Sequence, residues 1–545
     1  MKNYNKTLVA AALSSAICAP AFAGEPIEIA DGLTLSYKGT LNYSVAVRSG
    51  SPDEDNLSSG NANFDKRDLV NNSLSFLFET YLQGDGYGVV LTGSTFYDDV
   101  YHDDKFSSET KRYHGGYSRL LDAYAYTNFA VGDEGFMDIR VGSHVVAWGE
   151  ALFFPSMSLA QGPSDAIKAS VPGTEVRDIL LPEEQISVQY EVNQDLSILA
   201  HYQFDFHETL VSTPGSYMST SEAVGNGAYC LQPMSAETFG FPAELGVPAE
   251  FCGFAPRQAD KKPDGGQWGV GVRYRPSLST EVGVYYLNYD SRIPLPVIEP
   301  LGFTGETYPQ PLPMLGFPEY VPGSYAVNYF DDIDLYGATF TTITGAASIA
   351  GEFTLKQGAP TMVNTFIPAM SADEDATYIP TPVRSDIRQF NLNSIYNFGS
   401  MLGTANTTLT SEVSYVQIDN VENGTLDPQG LTMGFIPETN KLFYTDKGIA
   451  FSASVNFAYP AITDSWDLSI PVAYSNQLKG RTITGGVGGK GDQRFSIGAT
   501  FTHPVSEVQV SIKYLDYLGS TGMNPVEQKP LSDRDNLSLS VKWSF

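Results

Sequence analysis

The chain has 545 residues, of which 42% are apolar and 12% aromatic, and a formal charge of −30 at pH 7. That charge excludes a nucleic-acid partner, whose phosphates it would repel. No apolar run beyond the first residues is long enough for a membrane helix, so if the chain is exported it belongs to the periplasm, the outer membrane or the exterior.

Export is read from the start of the chain. Lys2 and Lys6 precede an apolar stretch from Leu8 to Ile17, and Ala21-Phe22-Ala23 stands before Gly24. This predicts a secretory signal over 1–23 and a mature chain over 24–545. Cleavage removes two lysines and no acids, moving the formal charge from −30 to about −32. Ile17 and Ser15 do not suit a lipobox around Cys18. The other two cysteines, Cys230 and Cys252, fall in one predicted loop, and an oxidising compartment favours a local disulfide between them.

The first mature segment alternates through Leu33, Leu35, Tyr37, Gly39, Leu41, Tyr43, Val45 and Val47, with Lys38, Asn42 and Ser44 on the other side. Period two of that length is a strand. It returns from Leu74 to Leu82 and, after Gly84-Asp85-Gly86, in Tyr87, Val89 and Leu91, so a tight turn joins neighbours. Further short turns are predicted near Asp133, Asn193, Ser277, Gly345, Gly399, Pro460 and Pro504. They alternate with long connections near 98–118, 149–183, 208–266, 291–332, 358–382, 419–447, 476–492 and 518–533. Short turns at one end and long loops at the other are the asymmetry of a membrane barrel.

One connection departs from polar loop composition. It runs Trp148-Gly149-Glu150-Ala151-Leu152-Phe153-Phe154-Pro155 and continues through Lys168 to Val176-Arg177-Asp178. With Met137, Ile139, Val141 and Val145 facing lipid, parity sends Arg140, His144 and Trp148 inward. The reading is a loop at 149–183 folded into the pore, with one short helix at 163–169. Trp148, Phe153 and Phe154 would offer apolar surface to a ligand at a constriction, and Glu150, Lys168 and Arg177 would position the segment by charge pairing. His201, Gln203, Asp205 and His207 read as polar lumen lining, with a metal site as the alternative. Ile293–Ile298, Pro311–Phe317, Phe239–Pro242 and Phe251 make several loops greasy, as an apolar vestibule or as a lid core. Acidic clusters at Asp53–Asp55, Asp98-Asp99, Asp103-Asp104 and Asp373–Asp375 lack the spacing of a calcium loop and suit solvated surface or divalent-bridged lipopolysaccharide.

Later strands are clearest at Ile449–Tyr459, Trp466–Tyr474, Phe495–Phe501 and Val508–Tyr514. The last alternates Leu537, Leu539, Val541, Trp543 and Phe545 against Ser538, Ser540, Lys542 and Ser544. An aromatic end of this kind resembles the signal read by bacterial barrel-assembly machinery. The count predicts an all-β fold, a single transmembrane antiparallel barrel of about 18 strands, with 16 the alternative. Glu183-Glu184 and Asp331-Asp332 offer paired carboxylates, yet adjacent strand residues point to opposite faces, and no serine elbow, zinc spacing or phosphate loop stands out. No enzyme, cofactor or metal is therefore predicted.

Residues 148–178, together with Asn63–Val70 and Gly93–Tyr101, resemble the domain-of-unknown-function 1302 family. The resemblance implies a Gram-negative outer-membrane barrel in contact with membrane lipid and lipopolysaccharide. It also implies a periplasmic lipoprotein-like partner, an RND-type inner-membrane transporter, and traffic in hydrophobic compounds. It brings no catalytic residues. The expected function is passage of a lipid, sterol-like molecule or hydrocarbon; the alternatives are a general diffusion porin or a structural, partner-docking barrel.

Overall fold

Alternation of apolar and hydroxyl or amide side chains produces strands whose two faces suit different surroundings, and here every such strand finds a neighbour on each side. The computed structural model describes residues 26–54, 56, 58–235, 250–300, 322–367, 377–426, 438–522 and 524–545. The predicted signal, the apolar runs at 239–242 and 311–317, and the acidic run at 373–375 lie outside the described residues.

Eighteen antiparallel strands close into one ring. They are β1 (Leu33–Arg48), β2 (Leu69–Gln83), β3 (Tyr87–Asp98), β4 (Gly116–Val131), β5 (Gly135–His144) and β6 (Glu183–Glu191). Next come β7 (Leu196–Gln203), β8 (Trp268–Ser277), β9 (Thr280–Tyr289), β10 (Ile333–Thr344), β11 (Ala347–Ile367) and β12 (Thr377–Gly399). The ring ends with β13 (Asn406–Asp419), β14 (Lys447–Thr463), β15 (Trp466–Lys479), β16 (Gln493–His503), β17 (Val508–Leu518) and β18 (Asn536–Ser544).

The seam pairs β1 with β18 from Thr40 opposite Ser544 to Arg48 opposite Asn536. Beyond it, the Gly39 N–H donates to the Phe545 carbonyl at 2.8 Å and the Phe545 N–H returns the bond at 2.9 Å. A Cβ on residue 39 would lie 2.5 Å from the Phe545 ring, so glycine is what lets the terminal aromatic lie across β1. A short strand, Ile27–Ala30, folds back on the start of β1.

Outward positions carry the apolar and aromatic residues. Trp268, Tyr286 and Tyr336 form a row on β8–β10 with successive ring centroids 5.3 Å apart. Inward positions are polar and buried, as Ser538 and Ser540 on β18 and Asn391 and Asn393 on β12 show. Two strands run further than the sequence suggested. Of the region expected as a loop at 358–382, the described residues 358–367 and 377–382 are strand, with β11 and β12 paired to Ile367 opposite Thr377 after a bulge between Lys356 and Ala359. Pro380 and Pro382 lie past Asp386, where β12 last pairs with β13, so their missing N–H groups face no ladder. Likewise the turn expected at Pro460 lies further on, at Asp464-Ser465, with Pro460 still in β14.

Outside the ring, the hairpin Cys230–Ser235 and Glu250–Pro256 carries a disulfide between Cys230 and Cys252. A second hairpin pairs Leu295–Pro300 with Pro322–Asn328.

Candidate functional site: a plug across the lumen

After His144 the chain does not continue the wall. Residues 145–182 turn inward and cross the lumen before β6 resumes at Glu183, directly opposite His144. Three short helices punctuate the crossing, Met157–Gln161, Ala166–Ala169 and Val176–Ile179, where the sequence suggested one.

The first half is hung on two acids of the far wall. Glu352 on β11 accepts N–H bonds from Glu150 at 2.8 Å and Met157 at 2.9 Å. Glu412 on β13 accepts from Leu152 at 2.8 Å and from Phe153. Both acids are 1% exposed. A buried carboxylate without hydrogen bonds would be prohibitive, and here the plug backbone supplies them. The Phe154 carbonyl takes bonds from Gln389 and Asn391 at 2.9 Å each, and the Glu150 carbonyl one from Asn393 at 2.7 Å. Gly149 permits the approach, because a Cβ there would stand 2.4 Å from Glu352 Oε2.

The second half is tied to the opposite wall. Arg119 on β4 bonds Asp165 at 2.7 Å and Asp178 at 2.9 Å, and the Tyr117 hydroxyl donates to Asp165 at 2.6 Å. Ser94 on β3 donates to Asp178 at 2.7 Å, and Lys542 on β18 bonds Glu175 at 2.6 Å. Lys168 is fully enclosed, its ammonium 3.1 Å from the centroid of the Phe96 ring and 3.8 Å from Asp178. Burial pushes that ammonium down to about 8, against the pull of Asp178 and Asp165. Arg177 reaches Glu79 and the Tyr81 hydroxyl on β2.

Trp148 lies at the root of the plug, stacked 5.7 Å from Tyr285 and edge-on 4.9 Å from His201. With Met157 it belongs to an apolar core that fills this side of the barrel and includes Leu199, Leu287, Ile333 and Leu335. The other side is open. A cavity of about 630 Å³ lies between the plug and the wall of β14–β18 and β1–β3. Ile167, Val171, Pro172 and Ile179 give it an apolar plug face, and Ser454, Thr500, Ser511, Ser538 and Ser540 give it a hydroxyl wall. His114 lies at its edge, accepting the Thr213 N–H at 3.2 Å, and burial lowers its pKa to about 3, so it is neutral there.

The family model for DUF1302, described as a protein of unknown function, matches residues 5–545. The chain belongs to that family. No curated protein is matched. Among solved structures, Acinetobacter baumannii OccAB3 is similar at 7% identity and a TM-score of 0.45, covering 94% of this chain and 99% of that one. Pseudomonas aeruginosa OpdK with vanillate is similar at 11% identity and a TM-score of 0.41, covering 94% and 98%. Likeness at this level says nothing of cargo.

In this DUF1302 barrel the six residues singled out from sequence are dispersed along the plug. Trp148 and Phe154 are buried in plug-to-wall contact, Phe153 is 37% exposed, and Glu150 anchors by its backbone. Lys168 and Arg177 hold the second half. The residues that sequence reasoning missed are their counterparts: Glu352, Glu412 and Arg119. An isolated acid on the inward parity of a strand, as in Ala350, Glu352, Thr354 and Lys356, is the signal that marks the two glutamates. His201 and Gln203 face inward and are buried, whereas Asp205 and His207 lie past the end of β7. His207 instead meets Glu183 at 2.9 Å and Glu184 at 3.7 Å, although one acid is buried and the other exposed. Arg292 already stands 3.4 Å from Glu183, which disfavours a metal cation.

Proposed function

We propose that this barrel is an outer-membrane channel for a hydrophobic small molecule bearing a polar end, admitted past the plug. The observation that carries the reading is the two-faced cavity, apolar on the plug and hydroxylated on the wall. At about 630 Å³ it is within the size range of small-molecule sites. An amphipathic cargo would lay its apolar body on Ile167, Val171 and Ile179 and its hydroxyl or carboxyl on the serines opposite. The outward apolar band and aromatic row suit a bilayer, with the long loops toward lipopolysaccharide and the short turns toward the periplasm. A lipid-carrying periplasmic partner follows from chemistry, since such cargo does not cross water unaided.

The test is flux in proteoliposomes bearing the intact protein or a deletion within 148–178. Labelled sterols, fatty acids and alkanes are compared with small sugars. Selective hydrophobic flux, altered by the deletion, supports the channel; flux of sugars alone makes the barrel a general diffusion porin, and absence of flux points to a docking role.

A further inference from the structure

The wall is incomplete beside the plug. Strand β4 spans 16 residues, but β5 pairs with it only from Ala123 opposite Ser143 to Val131 opposite Gly135. The stretch Gly116–Asp122 is bonded to β3 on one side, and among the described residues no strand pairs with its other edge. Seven residues make about 23 Å of unpaired edge. A bulge between Leu91 and Gly93 shifts the register opposite Leu121 and Asp122, where pairing with β5 ends. Across the gap β5 and β6 stop at His144 and Glu183, and β7 stops at Gln203.

This notch opens outward just below the loop rim, where Arg112, Tyr113, His207 and Glu208 of the loops line it beside Leu120. Tyr97, an outward aromatic, is opposite Gly116, so residues 117–122 lie deeper than that ring. Leu120 points outward in the notch and is 65% exposed.

The plug fills the gap with its middle, 163–165, and its last residues, 178–182. Asp165 and Leu181 donate N–H bonds to the Ile179 and Pro163 carbonyls at 2.7 Å and 3.0 Å, joining the two segments into a two-stranded patch. Arg119 bolts that patch to the free edge through Asp165 and Asp178. A cavity of about 420 Å³ lies on one side, lined by Leu120, Leu181 and His207, and one of about 180 Å³ on the other, lined by Leu180, Val176 and His144. Leu121 and Pro182 border both. Leu121 and Pro182 thus belong to the septum between a lumen pocket and a wall pocket.

We infer that this notch is a lateral portal, through which hydrophobic cargo passes between the lumen and the outer leaflet when the Arg119 bolt is released. The inference rests on the proposed channel for hydrophobic cargo and gives it a route. It requires no movement of the barrel strands, only displacement of residues 163–165 and 178–182.

The experiment places a bimane on Leu180→Cys, on the lumen side of the septum, with Cys230 and Cys252 held in their disulfide. The protein is reconstituted with phosphatidylcholine carrying a mid-chain doxyl quencher. In Arg119→Gln the lipid-accessible population should rise at least about tenfold, the factor that loss of a single charge-assisted bond supplies, because the bonds to both Asp165 and Asp178 are given up. Asp165→Asn, which alters the plug and leaves every barrel strand untouched, should act the same way, and Arg119→Lys should act less. A label at Ala473→Cys, inside the far wall, should stay unquenched throughout. The portal is overturned if quenching at Leu180→Cys is unchanged although hydrogen exchange at 163–182 shows that this segment has been freed. Hydrophobic flux with no lipid access would leave the channel standing and make its route axial; absence of hydrophobic flux alongside lipid access would remove the channel reading while leaving the portal.

Discussion

Replacing Glu352 by Gln changes one oxygen for an NH2 group and leaves size and shape intact. In the native site Oε1 accepts the Met157 N–H at 2.9 Å, while Oε2 accepts those of Glu150 at 2.8 Å and Ala151 at 3.3 Å. An amide can satisfy one side only, and whichever way it turns it presents N–H to N–H on the other. Each charge-assisted bond is worth about 1.5–3 kcal/mol, so the first half of the plug should open locally roughly 10- to 150-fold more often. Hydrogen exchange followed by mass spectrometry on peptides spanning 148–157 measures this directly. Leu152 and Phe153 hang on Glu412 and serve as an internal reference, changing less than Glu150 and Met157. Unchanged exchange at Glu150 and Met157 would refute the claim that buried wall acids suspend the plug.

At the long-loop rim, Asp533→Ala should cost about 3–5 kcal/mol, because it strands Arg48 and Arg534, both fully buried, without their shared carboxylate. The urea midpoint in lipid and trypsin cleavage at those two arginines read it, and a midpoint at the wild-type value would contradict the assignment. The Glu183 bond holds the His207 pKa above its ordinary 6.5, burial opposing it. The resulting tether on the loop after β7 is fully present below pH 6.5 and is lost as pH rises through the raised value. Protease susceptibility of residues 204–215 should therefore increase with pH in the wild type and be flat in His207→Ala. Reducing Cys230–Cys252, whose partners are 22 residues apart, should cost the outer hairpin about 3 kcal/mol by loop closure while leaving barrel circular dichroism unchanged.

Much of the ring was legible because each strand announces itself locally: Leu537 to Phe545 alternate whether or not β1 is known to be their neighbour. The plug was visible for a related reason, since Leu152, Phe153 and Phe154 contradict the polarity of an exposed loop. What stayed hidden lies across the lumen. Nothing local relates Glu150 to Glu352, 202 residues away, because the meeting depends on ring size and on which inward row faces which. The stretch 358–382, expected as a loop, holds Pro360, Pro380 and Pro382, and proline breaks a strand only where its N–H is needed, which beyond the rim it is not.

The seam between β1 and β18 also governs the order of folding. Gly39 and Phe545 bond across 506 residues, so the contact that seals the ring carries the largest separation among the described residues and the slowest loop to close. Until it forms, β1 and β18 each present a bare edge on which a second molecule can add. Arg48 and Asp533 meet only after the ring has joined, so their bond locks a finished circle and gives no help to an open one. The danger for this chain is therefore concentrated in transit, and an escort that covers two edges at once would suffice to carry it through.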